Sequence, residues 1–397
     1  MTASKSSTAS LPSRLLEVAA LFLKLGAISF GGPAAHIALI EAEVVRKREW
    51  VTRQQFLDML GAANLIPGPT STEMAINVGF VRAGWAGLCV AGASFIVPAA
   101  LITGAFAWAY VRYGSLPQAG AVLAGIKPAV IAVIAMAVWR LGKAAVRDIG
   151  LAILGGLSLA AFFFGWSPIG ILLGGGLAGM VARRASQGGS VASCFPVLSF
   201  SRRASSSFLA VPALAGTIVA KPSVGRIALF FLKVGAILYG GGYVLLAFLQ
   251  DGLVRQHSWL TQQQLLDAVA IGQFTPGPVL STATFIGYIL GGAPGAAVAT
   301  VAIFLPSFFY VALLAPVLFR LRQSFWMSAF LDSVNVCAVA LMAGVTIKLA
   351  VDALRNWPAW VIAAAALAVL LRWKVNPAWV VLGGGVAGLL LSVMGWW

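Results

Sequence analysis

The groups best suited to chemistry in this chain are gathered in residues 64–73, which read Asn-Leu-Ile-Pro-Gly-Pro-Thr-Ser-Thr-Glu. Proline lacks a backbone donor and clashes with the preceding helical turn, so the Pro-Gly-Pro run at 67–69 predicts a break in a helix. A helix that restarts after the break presents free N–H groups and the positive end of its dipole, and the hydroxyls at 70–72 add donors. This combination suits an oxyanion. Glu73 either carries a coupling proton, if burial favours its neutral form, or is a paired structural acid.

A second break of the same kind follows at 275–278, with hydroxyl residues shortly after it but no carboxylate. Gly-Gly pairs at 31–32 and 240–241 precede the two breaks and could supply a second pair of helix ends. A lysine lies seven residues before each Gly-Gly pair, inside an apolar segment. A charge is costly in such a segment, so each lysine is a candidate functional residue. Lys24 and Lys233 either line an anion path or reach the membrane interface and pair with a carboxylate.

The predicted oxyanion-binding set comprises the two lysines, the Gly-Gly pairs and both breaks with their polar neighbours. Its members are Lys24, Gly31, Gly32, Asn64, Pro67, Gly68, Pro69, Thr70, Ser71, Thr72, Lys233, Gly240, Gly241, Gln273, Pro276, Gly277, Pro278, Ser281 and Thr282. Glu73 is the candidate for proton coupling. No catalytic residue or metal site is predicted, because the three cysteines are scattered and the two histidines lack matching partners. No cofactor is predicted, and no phosphate-binding G-x-x-x-x-G-K-[ST] loop occurs in the sequence.

Other charged positions have less defined roles. Asp58 and Asp267 match each other in the two halves of the chain, and they are expected to cap or pair close to the basic loops. Lys127 precedes a proline inside a long apolar run, and its role is open. His36 is a lone histidine, and such a residue is more often structural than functional.

Membrane helices are the elements that must position these residues. The chain of 397 residues is 60% hydrophobic and 10% charged, with a mean hydropathy of +0.94, and apolar stretches of about 20 residues recur along it. An all-α, polytopic membrane protein is predicted, since the strands of a β-barrel would alternate polar and apolar residues. The net charge of +16 lies largely in short loops, which indicates topology and not nucleic-acid binding. The first apolar segment is expected to be retained, with the N-terminus inside.

The chain is an internal duplication. Aligned at an offset of 209, residues 22–69 and 231–278 are identical at 20 of 48 positions, charged and aromatic residues included. The duplication predicts an N-terminal transporter repeat over 11–184, a basic Ser/Gly-rich linker over 185–224 and a C-terminal repeat over 225–397.

Two segments flank the first break, and each is too short to cross a bilayer alone, which takes about 20 residues. We predict half-helices over 53–66 and 70–82 that meet at the break. Four ordinary spans are predicted to follow, over 86–111, 119–140, 149–165 and 168–183. The loop charges favour one side in the first repeat and the other side in the second. The repeats are therefore predicted to be inverted, with the apolar piece 208–220 as the additional crossing.

The segments "FGGPAAH" and "NLIPGP", with FGG or YGG followed by PGP in each half, resemble the chromate ion transporter family over nearly the whole chain. The resemblance implies two homologous, antiparallel halves and secondary transport of chromate out of the cytoplasm. It also implies chromate resistance, with sulfate as the look-alike oxyanion. The second half departs from the pattern, because Gly242 and Leu245 stand where the first half has Pro33 and His36.

The expected function is therefore a chromate exporter of the cytoplasmic (inner) membrane that works by alternating access. A carrier of sulfate or another oxyanion with inward flux is the alternative, and a membrane-embedded enzyme is less favoured. The expected partners are a small inorganic oxyanion and the lipid bilayer, without nucleic acid. Whether the protein forms a homodimer is left open by the sequence.

Overall fold

The computed structural model describes residues 10–30, 32–64, 66–114, 116–185, 222–239, 242–314, 325–373 and 375–395. These residues form fourteen α-helices and no β-strand, so the all-α prediction is confirmed. The predicted additional crossing over 208–220 lies outside the described residues.

Among the described residues, each repeat contributes seven helices in the same order. The first repeat has α1 (Leu11–Ile28), α2 (Gly32–Glu41), α3 (Arg53–Ala63), α4 (Thr70–Tyr113), α5 (Pro117–Ala145), α6 (Ile149–Phe163) and α7 (Pro168–Ala185). The second has α8 (Val224–Ile237), α9 (Leu245–Leu249), α10 (Gln262–Phe274), α11 (Thr282–Leu314), α12 (Phe325–Ala353), α13 (Trp357–Arg372) and α14 (Pro377–Val393). π-helical turns prolong α2 and α9, over Ala42–Lys47 and Gln250–Gln256.

The helix before each break begins with the same local signal. Thr52 accepts a hydrogen bond from the amide of Gln55 at 3.2 Å, and the Gln55 side chain accepts one from the amide of Thr52 at 2.9 Å. Thr261 and Gln264 repeat this capping box at the start of α10. The two repeats therefore start their broken elements in the same way.

Helices α4 and α11 each consist of two arms joined by a sharp reversal. Gly84 in α4 has a φ of +64° and Gly292 in α11 a φ of +63°, a conformation that glycine adopts without steric strain. A Cβ on Gly79 would collide with the carbonyl oxygen of Gly87, so the two arms of α4 pack closely and run antiparallel. The first arm is the predicted half-helix 70–82, and the second arm is the first full span.

Helix α3 and the first arm of α4 form a hairpin with the Pro-Gly-Pro loop at its tip. Arg82, at the end of the arm, lies over the ring of Trp50, which precedes α3, with Cζ 5.1 Å from the ring centroid. The start of α3 and the end of the arm therefore share one face of the protein. The break between them lies inside the protein, where residues 66–69 are buried. The predicted half-helix 53–66 ends earlier than expected, at Ala63.

Among the described residues, four helical segments are long and apolar enough to cross a membrane: 70–113, 118–145, 279–313 and 328–353. Helices α6, α7, α13 and α14 are apolar but shorter. The prediction of a multi-pass membrane protein is confirmed.

The two repeats are inverted. Helices α5 and α12 are equivalent elements that pack against each other in opposite directions. At one end, Arg147 just after α5 pairs with Asp332 near the start of α12, with 3.6 Å between Nη1 and Oδ1. At the other end, Gly120 near the start of α5 and Asp352 at the end of α12 line one cavity. The inversion predicted from the loop charges is confirmed.

The two faces of the protein differ in charge. We call the face at the end of α5 the basic face and the opposite face the far face. Described cations near the basic face include Arg46, Lys47, Arg48, Arg140, Lys143, Arg147, Arg183 and Arg372, and those near the far face include Arg112, Arg226, Arg255, Lys348 and Arg355.

Close packing fixes the broken helices against the spans. Helix α1 packs on α4 and α8 packs on α11, and a Cβ on Gly26 or Gly235 would collide with the carbonyl oxygen of Phe95 or Ile303. Helices α4 and α11 also pack on each other, which joins the repeats and brings their breaks to the centre.

Candidate functional site

The tips of the two hairpins are exchanged between the repeats. The amide of Gly68 donates a hydrogen bond to the carbonyl oxygen of Leu238, at the end of α8, with a length of 2.8 Å. The amide of Gly277 donates to the carbonyl oxygen of Ser29, at the end of α1, also at 2.8 Å. Leu238 and Ser29 are equivalent positions of the two repeats. Each break therefore contacts the end of the first helix of the other repeat.

At the first tip, the side chain of Glu73 is completely buried beside the break. Gly68 has a φ of +146°, and a Cβ there would collide with Glu73 Oε1 and Ser307 Oγ, so both polar groups face its Cα. Within the described chain, neither oxygen of Glu73 has a hydrogen-bond partner, and the hydroxyls of Ser307 and Thr72 also lack one. Buried polar atoms are usually paired in proteins, so a group of unpaired ones at a helix break indicates a functional site.

The second tip has a different chemistry. Ala99 stands where the first tip has Ser307, and a Cβ on Gly277 would come within 2.7 Å of the Ala99 Cβ. The hydroxyls after this break are paired: Thr103 Oγ1 donates to Ser281 Oγ at 3.3 Å, and Thr282 Oγ1 donates to the carbonyl oxygen of Val279 at 2.8 Å. Among the described residues, the unpaired carboxylate and its neighbouring unpaired hydroxyls thus lie at the first tip, whereas the buried unpaired atoms beside the second tip are Ser29 Oγ and His36 Nδ1.

His36 connects α2 to the second tip through Ser29. Its Nε2 lies 3.1 Å from the carbonyl oxygen of Ser29, the same atom that accepts from the Gly277 amide. A lone histidine such as His36 is predicted to be structural, and its contact with a helix end of the site follows only from the fold. The second repeat has Leu245 in this place.

A cavity of about 800 Å³ on the basic face reaches the first break. Asn64, Gly68 and Thr70 line it at the break, and Arg140 and Arg147 line its wall. Arg147 is paired with Asp332, whereas Arg140 has no carboxylate within 4.0 Å among the described residues. The cavity therefore presents cationic groups together with the start of the first arm of α4.

A second cavity, of about 470 Å³, lies on the far face and contains a buried ion pair. Lys127 Nζ of the first repeat lies 2.9 Å from Asp267 Oδ1 of the second, and the two side chains are 9% and 3% exposed. The hydroxyl of Tyr110 donates to the other carboxylate oxygen, also at 2.9 Å. The expectation that Asp267 pairs is met, but its expected place near the basic loops is wrong, because its helix α10 packs against α5 in the interior.

The predicted lysines lie on the outside of their helices and not at the buried breaks. Lys24 is 56% exposed, and its Nζ lies 3.6 Å from a carboxylate oxygen of Glu43. Lys233 is also exposed. For Lys24, this placement matches the alternative of a lysine paired with a carboxylate.

The remaining predicted residues divide between the two tips and the Gly-Gly segments. Pro67, Pro69, Pro276 and Pro278 are buried at the tips, Ser71 is buried in the first turn of α4, and Gln273 is partly buried near the end of α10. Gly32 begins α2 with a φ of +79°. Gly31, Gly240 and Gly241 lie outside the described residues.

The family profile of chromate transporters matches residues 16–180 and 225–389 of this chain. A probable chromate transport protein of Synechococcus elongatus is 33% identical over 370 residues, which cover 91% of each chain. A chromate transport protein of Cupriavidus metallidurans is 31% identical over 387 residues, 95% of this chain and 93% of the relative. One of Pseudomonas aeruginosa is 31% identical over 399 residues, 94% of this chain and 92% of the relative. No solved structure gives a significant match. With both repeats matched, this chain belongs to the chromate transporter family.

Proposed function

We propose that this protein is a secondary transporter that exports chromate across the cytoplasmic membrane by alternating access and so gives chromate resistance. The observation that carries the proposal is a pair of cavities on opposite faces of two inverted repeats, with the exchanged hairpin tips between the repeats. In transporters built from inverted repeats, access alternates when one half moves against the other around a site at broken helices. Membership of the chromate transporter family supports chromate as the substrate.

The proposed binding groups for the oxyanion are those of the first tip. The amides of Thr70 and Ser71 are at the first two positions of α4, where a helix has no internal acceptor for its N–H groups. The unpaired hydroxyl of Thr72 and the side-chain amide of Asn64 add donors near the same break. Arg140 attracts the dianion into the cavity that leads there.

The proposed orientation places the basic face in the cytoplasm, because loops rich in Lys and Arg stay inside. The 800 Å³ cavity then opens towards the cytoplasm and the 470 Å³ cavity towards the outside. Moving one charge through 100 mV changes the free energy by about 2.3 kcal/mol, so a membrane potential that is negative inside favours export of a dianion by about 4.6 kcal/mol.

Glu73 is the proposed proton-coupling residue. Its carboxyl group is completely buried at the tip, close to Ser307, and it has no hydrogen-bond partner among the described residues. A negative carboxylate and a dianion repel each other at short range, so a proton on Glu73 would assist occupancy of the neighbouring site.

Chromate uptake into everted membrane vesicles tests the proposed function. We expect saturable uptake in vesicles from expressing cells, a dependence on membrane potential or proton gradient when each is collapsed separately, and competition by sulfate if selectivity is broad. Vesicles that take up no more chromate than those from cells lacking the protein would contradict the proposal. Expressing cells that accumulate chromate, or a related oxyanion, would instead support an inward carrier.

A further inference from the structure

The far-face cavity contains a cation and an acid that the proposed function does not use. We propose that Lys127 is a second oxyanion-binding residue, on the far side of the path. In this proposal the carboxylate of Asp267 competes with the oxyanion for Lys127 and pairs with Lys127 when the oxyanion leaves. The inference rests on the proposed function, because it assumes that the transported solute is a tetrahedral dianion. The experiment that tests it measures chromate binding to the purified protein, separately from transport.

The burial of the pair is the first argument. Lys127 is 7% exposed and is the only described Lys or Arg among the buried residues, and Asp267 is 2% exposed. Removing two charges from water is costly, and replacing such a pair by apolar side chains is often neutral or stabilising. The pair also joins the two repeats, since Lys127 lies on α5 and Asp267 on α10. A buried ion pair between parts that move relative to each other suits a group that exchanges partners.

The second argument is the donor capacity of Lys127. An ammonium group has three donors, and the contact of Lys127 with the described chain is the ion pair with Asp267 at 2.9 Å, outside hydrogen-bond geometry. The other oxygen of Asp267 is held by the Tyr110 hydroxyl at 2.9 Å. Asp267 therefore keeps one partner when it releases Lys127, and Lys127 keeps donors for a solute in the cavity.

The cavity itself fits a small solute. Its volume of about 470 Å³ lies in the range of about 300–1,000 Å³ typical of small-molecule sites. The other charged residues on its wall, Asp352 and Arg355, pair with each other at 2.9 Å. The side chains of Arg355 and Asp352 are 76% and 30% exposed, whereas those of Lys127 and Asp267 are 9% and 3% exposed. Lys127 is thus the buried cation of the cavity, and Asp267 is the acid placed to compete for it.

A comparison of the two repeats gives the third argument. The position equivalent to Lys127 is Asn335, which lines the basic-face cavity, and the position equivalent to Asp267 is Asp58. Asparagine carries no charge, so an ion pair equivalent to Lys127–Asp267 cannot form between Asn335 and Asp58. On the basic face, Arg140 supplies the positive charge instead. A pair needed only to hold equivalent helices together would be expected in both repeats.

Equilibrium binding of chromate to the purified full-length protein, with sulfate as a second probe, tests the inference. We expect Asp267→Asn to bind chromate about tenfold more tightly and to release it more slowly, because the competitor is lost. We expect Lys127→Gln to bind about tenfold more weakly. The double variant, which carries no buried charge at this position and should therefore fold, is expected to bind as weakly as Lys127→Gln. Lys143→Gln, on the same helix but outside the cavity, is the matched control and should bind like the wild type.

The opposite changes in chromate affinity expected for Asp267→Asn and Lys127→Gln separate a binding role of the pair from a structural one. If the pair only stabilises the fold, both single variants lose thermal stability, the double variant regains it, and chromate affinity stays at the wild-type value throughout; that result overturns the inference. If the wild type exports chromate in everted vesicles and Lys127→Gln binds it as tightly as the wild type, the inference fails while the proposed function stands. A wild type that neither binds nor transports chromate or sulfate overturns both.

Discussion

The backbone amide of Gly68 in the first repeat donates a 2.8 Å hydrogen bond to the carbonyl oxygen of Leu238 in the second. The equivalent bond, from Gly277 to Ser29, runs in the other direction. Each Pro-Gly-Pro break is therefore held by the end of the first helix of the other repeat. A movement of one repeat against the other has to act on both tips at once. This is the mechanical requirement for coupled opening and closing of the two cavities.

Gly68→Ala tests the importance of this contact. The added methyl group would collide with Glu73 Oε1 and Ser307 Oγ, and the φ of +146° is strained for alanine. We expect a loss of stability of about 1–3 kcal/mol and a loss of most chromate transport, measured by thermal unfolding in detergent and by vesicle uptake. Gly156→Ala is the control, because its Cβ would enter open space on α6 and should change neither quantity. Normal transport by Gly68→Ala would show that the tip tolerates displacement.

Glu73→Gln tests proton coupling. The amide is close in shape to the carboxyl group but cannot titrate, so we expect a folded protein whose chromate transport no longer varies with pH. The measurement is the initial rate of uptake into everted vesicles across a pH series. Glu41→Gln, which affects an ion pair with Arg46 at 3.9 Å, should keep the wild-type profile. An unchanged profile in Glu73→Gln would remove this residue from the coupling mechanism.

Arg140→Gln tests the role of the basic-face cavity. Because Arg140 lines the cavity and has no described carboxylate partner, its charge is available to concentrate a dianion at the entrance. We expect the KM for chromate to rise roughly fivefold with little change in the maximal rate, and the difference from the wild type to shrink at high salt. Lys143 lies over the ring of Trp139, 4.5 Å from its centroid, and outside the cavity, so Lys143→Gln should leave the KM unchanged. Equal KM values for Arg140→Gln and the wild type would place the entrance elsewhere.

Glu43 gives a prediction for stability against pH. Lys47 donates a hydrogen bond to its carboxylate at 2.9 Å, and Lys24 and Arg48 lie at 3.6 Å, so these cations hold the pKa of Glu43 below its ordinary value. A carboxyl group with a lowered folded pKa contributes stability above its unfolded pKa, and the contribution is lost as the pH falls through the folded pKa.

We therefore expect Glu43→Gln to lower the free energy of unfolding by about 1 kcal/mol at neutral pH. At acidic pH we expect a much smaller loss, because the wild-type carboxyl group is then protonated and neutral, like the Gln side chain. Thermal unfolding of both proteins at several pH values measures this difference. A loss of equal size at neutral and acidic pH would mean that packing, and not charge, accounts for the effect of Glu43.

Much of the architecture follows from local sequence features. The apolar segments predict membrane helices, because the bilayer requires every backbone polar group to be paired within a helix. The repeated Pro-Gly-Pro runs predict interrupted helices, since proline cannot continue the hydrogen-bond ladder. The spans over 86–111 and 119–140 are found as the second arm of α4 and as α5, and the loop charges give the correct inversion.

The relationships between the repeats were decided by the tertiary structure. Nothing in the periodicity of the chain says that Gly68 meets Leu238, that Ser307 faces Glu73, or that Lys127 pairs with Asp267. Such contacts join side chains and backbone groups far apart in sequence, and they depend on how whole helices pack and not on which residues form them. For the same reason the sequence could not tell that Lys24 turns outward to Glu43, whereas Lys127, a similar lysine in a similar apolar segment, is buried.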